Sequence, residues 1–182
     1  MSQLEVESKI KVDNPVIMRQ KISKIASFVA RKKREDKYFE LAKGYPKKAF
    51  RVRLENSAYI VNFKKWLREL WDKEIVVKEE FELALTKPEF DTLMQLFRDL
   101  GFKEWVNKDK ECEIYRYNKD KKLIIELNKV KKLGYFLEIE YICPRQDLEK
   151  ARKLIRNVIK ELSINKKDID NTGYTKLLYN KK

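Results

Sequence analysis

The sequence predicts an α+β fold built on a mostly antiparallel sheet, and three observations carry that expectation. Apolar and polar residues alternate with period two in many short runs. Amphipathic stretches with helical spacing lie between those runs. The two kinds of segment mix without the strict strand–helix–strand alternation of a parallel sheet.

Leu4, Val6, Ile10 and Val12 face one way, with Glu5, Glu7, Lys9 and Lys11 opposite. Asn14 caps a helix opened by Pro15 and predicted to run through Ile17, Ile22, Ile25 and Phe28. Phe50, Val52 and Leu54 oppose Arg51 and Arg53, while Tyr59, Val61 and Phe63 oppose Asn62 and Lys64. Ile75, Val77, Phe81, Leu83 and Leu85 oppose Lys78, Glu80 and Glu82. A second helix is predicted from near Pro88 to Gly101, with Phe90, Leu93, Met94, Phe97 and Leu100 as its apolar stripe. From Val106 to Tyr117 the alternation is less regular, although Lys108, Lys110 and Arg116 share a face. Leu123, Ile125 and Leu127 then oppose Glu126 and Asn128, and Tyr135, Leu137, Ile139 and Tyr141 oppose Glu138 and Glu140. A third helix is predicted from about Gln146 to Leu162, and a short last one holds Tyr174, Leu177 and Leu178.

At 182 residues, 43% hydrophobic and 40% charged, the chain fits one globular domain. No apolar run approaches the roughly 20 residues that span a bilayer, and the opening alternation of charge and apolar side chains is unlike a signal peptide. Cys112 and Cys143 are too few for a disulfide framework, so a reducing cytoplasm is expected. Histidine is absent, which excludes a Ser-His-Asp triad and histidine-ligated metals. Any metal must be held by oxygen, favouring Mg²⁺, Mn²⁺ or Ca²⁺. A formal net charge of +14 points to an anionic partner, although a lysine- and glutamate-rich surface also accounts for much of it.

The polar strand faces carry clustered charge rather than loosely ordered polar residues. Glu5, Glu7, Glu80, Glu82, Glu126, Glu138 and Glu140 stand against Lys9, Lys11, Arg51, Arg53, Lys64, Lys78, Lys108, Lys110 and Arg116. In a strand, Glu-x-Glu sets two carboxylates on one face roughly 7 Å apart, a spacing that suits a metal. Paired arginines and lysines on adjoining strands would neutralise phosphate oxygens. Two arrangements satisfy the pattern: a flat sheet with one salt-laced wet face, or a barrel with its charged faces inward and its apolar faces covered by the amphipathic helices.

A family resemblance bears on that choice. Glu5-Val6-Glu7-Ser8-Lys9 resembles the ExExK signature of the CYTH superfamily, the triphosphate tunnel metalloenzymes, which include class IV adenylyl cyclases, thiamine triphosphatases and inorganic triphosphatases. Asp36-Lys37-Tyr38-Phe39-Glu40, Phe50-Arg51-Val52-Arg53, Asn62-Phe63-Lys64, Lys78-Glu79-Glu80-Phe81-Glu82, the segment Leu133 to Glu140, and Gly173 to Leu178 are similar to the family's later elements, in order. The resemblance covers essentially residues 1–182 as one domain and implies a closed antiparallel barrel with a charged lumen and helices outside. It implies Glu5, Glu7, Glu138 and Glu140 as ligands of a catalytic Mg²⁺ or Mn²⁺, with Glu80, Glu82 and Glu126 as further metal or orienting groups. It also implies Lys9, Arg51, Arg53 and Lys64 as catalytic phosphate ligands, joined by Lys11, Lys78, Lys108, Lys110 and Arg116. Two positions depart from the pattern: Cys112 stands where an arginine is usual, and Asn128 where an aspartate is usual. Lys108 or Arg116 is the expected replacement for the first, and Glu126 for the second.

The function so implied is divalent-metal-dependent hydrolysis of a triphosphate, either tripolyphosphate or an organic one. The alternatives are a class IV adenylyl cyclase and a non-catalytic binder of polyphosphate or nucleic acid. For the binder, the run Arg31-Lys32-Lys33-Arg34 would meet phosphates and Trp66, Trp71 and Trp105 would stack on bases. Tyr38, Tyr115 and Tyr174 are further candidates for substrate contact, and a monomer or homodimer free of membrane is expected.

Overall fold

A computed structural model describes residues 3–40, 50–55 and 58–181. Strand β1 (Leu4–Val12) leads into helix α1 (Pro15–Ile25) and then β2 (Ala26–Glu40), followed by β3 (Phe50–Glu55), β4 (Ala58–Trp66) and β5 (Val76–Leu85). Helix α2 (Lys87–Asp99) precedes β6 (Lys103–Tyr117), β7 (Leu123–Val130) and β8 (Gly134–Cys143), and helices α3 (Leu148–Glu161) and α4 (Tyr174–Tyr179) end the fold. The strands close into a barrel in the order β1-β5-β4-β3-β2-β6-β7-β8, with β8 returning to β1. Every pairing is antiparallel.

Closure selects the second of the two arrangements left open by the alternation. Residues opposite each other in a ladder point to the same face, so the register carries one set of side chains around the whole wall. Glu5 pairs with Lys78, Lys64 with Glu80, Arg51 with Asn62, Asp36 with both Arg53 and Lys108, Lys110 with Arg34, and Glu138 with both Glu126 and Lys9. These point inward. The intervening apolar residues point outward, where Leu4, Val6, Ile10, Leu123, Ile125, Leu137 and Ile139 pack under Ala151, Ile155 and Val158 of α3, Leu162 just after it, and Ile22 of α1. A smaller cluster of Phe39, Val52 and Met94 lies under α2, with Phe50, Phe97 and Phe102 against it. The outer wall of β5 is less covered, since Phe81 and Leu83 are 49% and 60% exposed.

One helix boundary differs from the expectation. Asn14 caps α1 through its side chain, accepting from the amides of Val16 and Ile17, but the helix stops at Ile25 and Phe28 lies in β2. Ala26 is already extended (φ −142°, ψ 149°). The long ladder from Ala26–Tyr117 to Glu40–Lys103 binds this segment to β6, and Phe28 meets Tyr115 edge-on at 5.5 Å. Pairing along so many residues outweighs a local helical pattern.

Candidate active site

The barrel encloses a cavity of about 1390 Å³ lined by side chains from every strand and by residues 171–176. Small barrels are ordinarily filled by apolar side chains, whereas this wall is charged.

On one side, Glu5, Glu7 and Glu140 bring one carboxylate oxygen each to within 4.8 Å of one another. Glu5, on β1, is 1% exposed and pairs with Lys64 and with Lys78 at 3.5 Å. Burial opposes its ionisation, but Lys64 and Lys78 outweigh that and hold its carboxyl well below the usual range. Glu7 meets Lys78 at 2.6 Å; burial, reinforced by Glu5 and Glu138, pushes it up to about 7 even so. Burial and then the charge of Glu5 likewise push Glu140 well above the carboxylate range. Three crowded hard oxygen donors in a buried wall are a donor set that fits Mg²⁺ or Mn²⁺.

Opposite lies a group of cations. Asp36, 1% exposed, accepts from Arg53 at 2.8 Å and meets Lys108 at 2.7 Å and Arg51 at 3.5 Å. Burial disfavours its charge, yet these three cations hold its carboxyl well below the usual range. Between the two groups, Lys110 bridges Glu126 at 3.0 Å and Glu138 at 3.1 Å, and Asn128 donates to Glu138 at 2.7 Å. Burial works against Glu138 too, but Lys110 prevails and its carboxyl is held down at about 2. Asn62 donates to Glu80, and to Glu82 at 3.0 Å.

The segment after α3 seals part of this wall. Asp170 donates its amide to the Lys9 carbonyl at 2.8 Å, and Asn171 accepts the Lys9 amide at 2.8 Å. The Lys9 ammonium donates to the Thr172 carbonyl and lies 4.4 Å from the centre of the Tyr174 ring. Burial lowers its pKa.

Most residues singled out from sequence therefore meet in one cavity: Glu5, Glu7, Lys9, Arg51, Arg53, Lys64, Lys78, Glu80, Glu82, Lys108, Lys110, Glu126, Glu138 and Glu140 all line it. Lys11 and Arg116 do not. Both share the inward parity but lie near strand ends, opposite Phe136 and Ile124, and are exposed. The seven acids also divide, because Glu126, Glu138, Glu80 and Glu82 pair with cations or amides instead of joining the three-carboxylate cluster. Tyr38 and Tyr174 line the cavity, whereas Tyr115 lies in the outer core and donates to Glu113. Trp66 and Trp71 stand together at one mouth, ring centres 5.1 Å apart. Asp36, Arg34 and Asn62 belong to the wall without having been singled out for it. The first two sit at alternate positions of β2; Asp36 opens the family-like strand motif Asp36–Glu40, whereas the signal for Arg34 is available only once the strand is extended back through the basic run.

A model of the CYTH domain matches residues 3–174. The chain belongs to the CYTH family. CYTH proteins are generally metal-dependent enzymes acting on triphosphates such as ATP, and the closed charged barrel is that of the triphosphate tunnel group. The PH1012 protein of Pyrococcus horikoshii OT3 is 30% identical, with a TM-score of 0.78 over 96% of this chain and 99% of that one. The PH1819 protein of the same organism is 24% identical, with a TM-score of 0.78 over 98% and 99%. HpAC1 of Hippeastrum, a candidate adenylyl cyclase described as revealing a dominant triphosphatase activity, shares the fold at 15% identity, with a TM-score of 0.69 over 100% and 97%. No curated protein matches the sequence. Among the described residues of this CYTH chain, no helix is long and apolar enough to cross a membrane.

Proposed function

We propose that this CYTH chain hydrolyses a linear triphosphate, such as tripolyphosphate, with divalent-metal help. The observation that carries the reading is a single buried wall on which a three-carboxylate cluster faces Arg51, Arg53, Lys108 and Lys110. Phosphoryl transfer demands charge neutralisation and alignment more than covalent chemistry. A Mg²⁺ or Mn²⁺ ion held by Glu5, Glu7 and Glu140 would neutralise phosphate oxygens and favour water as nucleophile. Arg51 and Arg53, one residue apart on the inner face of β3, present forked donors suited to two successive phosphates. Lys64, Lys78, Lys108 and Lys110 add point charges around them. The strand ladders fix all of these groups before the substrate enters, so little reorganisation is needed in the transition state.

Trp66 and Trp71 at the mouth favour a second reading, adenylyl cyclase, because an adenine base could stack there while its phosphates reach inward. One assay addresses both. Purified protein is incubated with tripolyphosphate or ATP plus Mg²⁺ or Mn²⁺, and orthophosphate and cyclic AMP are measured. Orthophosphate without cyclic AMP is expected, and Glu5→Gln should abolish the metal-dependent part. Cyclic AMP as main product would replace the hydrolase reading. Wild-type protein that binds tripolyphosphate without turning it over, with Glu5→Gln binding as well or better, would mark a binder.

A further inference from the structure

The inner face of β6 carries Lys108, Lys110 and then Cys112, so its row of cations breaks at a buried neutral thiol. The neighbouring strand fills the break. Lys110 pairs with Arg34 in the β2–β6 ladder, and Cys112 with Lys32. The Arg34 guanidinium reaches over Cys112, its Nη1 3.8 Å from Sγ, and donates to both Glu126 oxygens at 2.8 and 3.0 Å. Its Nε donates to Glu55 at 2.6 Å, and Glu55 is also held by Lys32. The side chain is 13% exposed and lines the cavity. A small residue at position 112 is what leaves room for it, because a long side chain there would occupy the same volume.

We propose that Arg34 is a phosphate-binding residue of this tunnel, delivering from β2 the guanidinium that β6 lacks at Cys112. The inference rests on the triphosphate reading of the cavity. Arg34 shares Glu126 with Lys110, whose Nζ meets the same carboxylate at 3.0 Å and Glu138 at 3.1 Å, so a phosphate oxygen can replace Glu126 at Nη1 while Lys110 keeps both carboxylates and Nε keeps Glu55. The Nε–Glu55 bond fixes the fork from the strand side and leaves Nη1 on the lumen wall, the geometry in which arginine recognises phosphate. In the run Arg31–Arg34, extended backbone divides the charges. Arg31 and Lys33 are exposed, while Lys32 and Arg34 turn inward.

The test measures tripolyphosphate binding by calorimetry in EDTA, so that hydrolysis plays no part, with wild type, Arg34→Ala, and Arg34→Ala combined with Cys112→Arg. Loss of one charged phosphate contact weakens binding about 10- to 100-fold. Returning the guanidinium from β6 in the double variant recovers most of that loss, which a purely structural role for Arg34 does not predict. Near-UV circular dichroism establishes that each variant is folded. Arg34→Ala binding within about twofold of wild type overturns the proposal, as does a loss that Cys112→Arg leaves unchanged in a folded protein. If wild type binds no tripolyphosphate, the triphosphate reading falls and this inference with it; if wild type binds and Arg34→Ala binds equally, only the inference falls.

Discussion

Replacing Asp36 by Asn tests how completely the tunnel wall is removed from water. The substitution keeps the shape of the side chain and deletes one charge from a site that is 1% exposed. Lys108 at 2.7 Å, Arg53 at 2.8 Å and Arg51 at 3.5 Å then lose their shared anion. At an effective dielectric constant of about 20, one such contact is worth on the order of 5 kcal/mol in Coulomb energy. Desolvation offsets part of this, and breaking a buried ion pair from one side typically costs about 3–5 kcal/mol. That is a fall in melting temperature of roughly 6–20 °C for a chain of this size. Its pH dependence has a definite sign. The folded pKa of Asp36 lies well below the unfolded value of about 3.9, so its stabilisation is fully present above that value and is lost as pH falls through the folded one. Denaturant unfolding of both proteins at neutral pH and at successively lower pH should show a wide gap that narrows on acidification. Tripolyphosphate in EDTA should raise the melting temperature of the variant more than that of wild type, since it returns negative charge to the same cations. A neutral-pH difference below about 1 kcal/mol with an unchanged denaturant slope would mean that solvent screens the cluster, and the reasoning would fail.

Two other predictions probe the shell around the tunnel. Ile155 is 0% exposed beneath α3, so Ile155→Ala should cost about 2–5 kcal/mol by denaturant unfolding while leaving tripolyphosphate affinity per folded molecule unchanged. Gly134 turns the chain from β7 into β8 at φ +98°, and an added Cβ there meets nothing within 4 Å; Gly134→Ala should therefore cost about 1–3 kcal/mol of backbone strain alone, read as a lower midpoint with intact cooperativity.

The inward set was legible because strand parity is a strong signal when both faces are decorated. Glu5, Glu7 and Lys9 opposing Val6 and Ile10 already fix which side of β1 is which. Parity gives the face but not the depth, however. Lys11 and Arg116 have the inward phase yet sit beyond the enclosed part of the wall, because register and barrel length are properties of the partners, not of the strand itself. Arg34 was obscured for another reason. A block of four consecutive cations reads as one charged patch until its backbone is known to be extended, when alternate members separate to opposite faces. The division of the acids was hidden as well, since which carboxylates cluster and which pair with lysines depends on neighbours distant in sequence, such as Lys110 between Glu126 and Glu138.

A wall so dense in buried charge persists because the barrel separates what holds it together from what it does. The apolar contacts lie outside, between the strands and α1, α2 and α3, where they contribute roughly 25 cal/mol per Å² of buried apolar surface without occupying the lumen. Inside, the lumen-facing cations described above each meet a carboxylate or, as Lys9 does, a carbonyl and an aromatic face. These lumen-facing cations are thus compensated, and the excess behind the net charge of +14 lies outside these pairs. These internal pairs also define what a ligand must bring. A neutral molecule would break them without replacement, whereas a polyanion accompanied by a cation can exchange carboxylate for phosphate at the arginines and lysine for metal at the glutamates, pair by pair. On the proposed reading, selection for a metal-bound polyphosphate would follow from the alternation of the strands that form the wall.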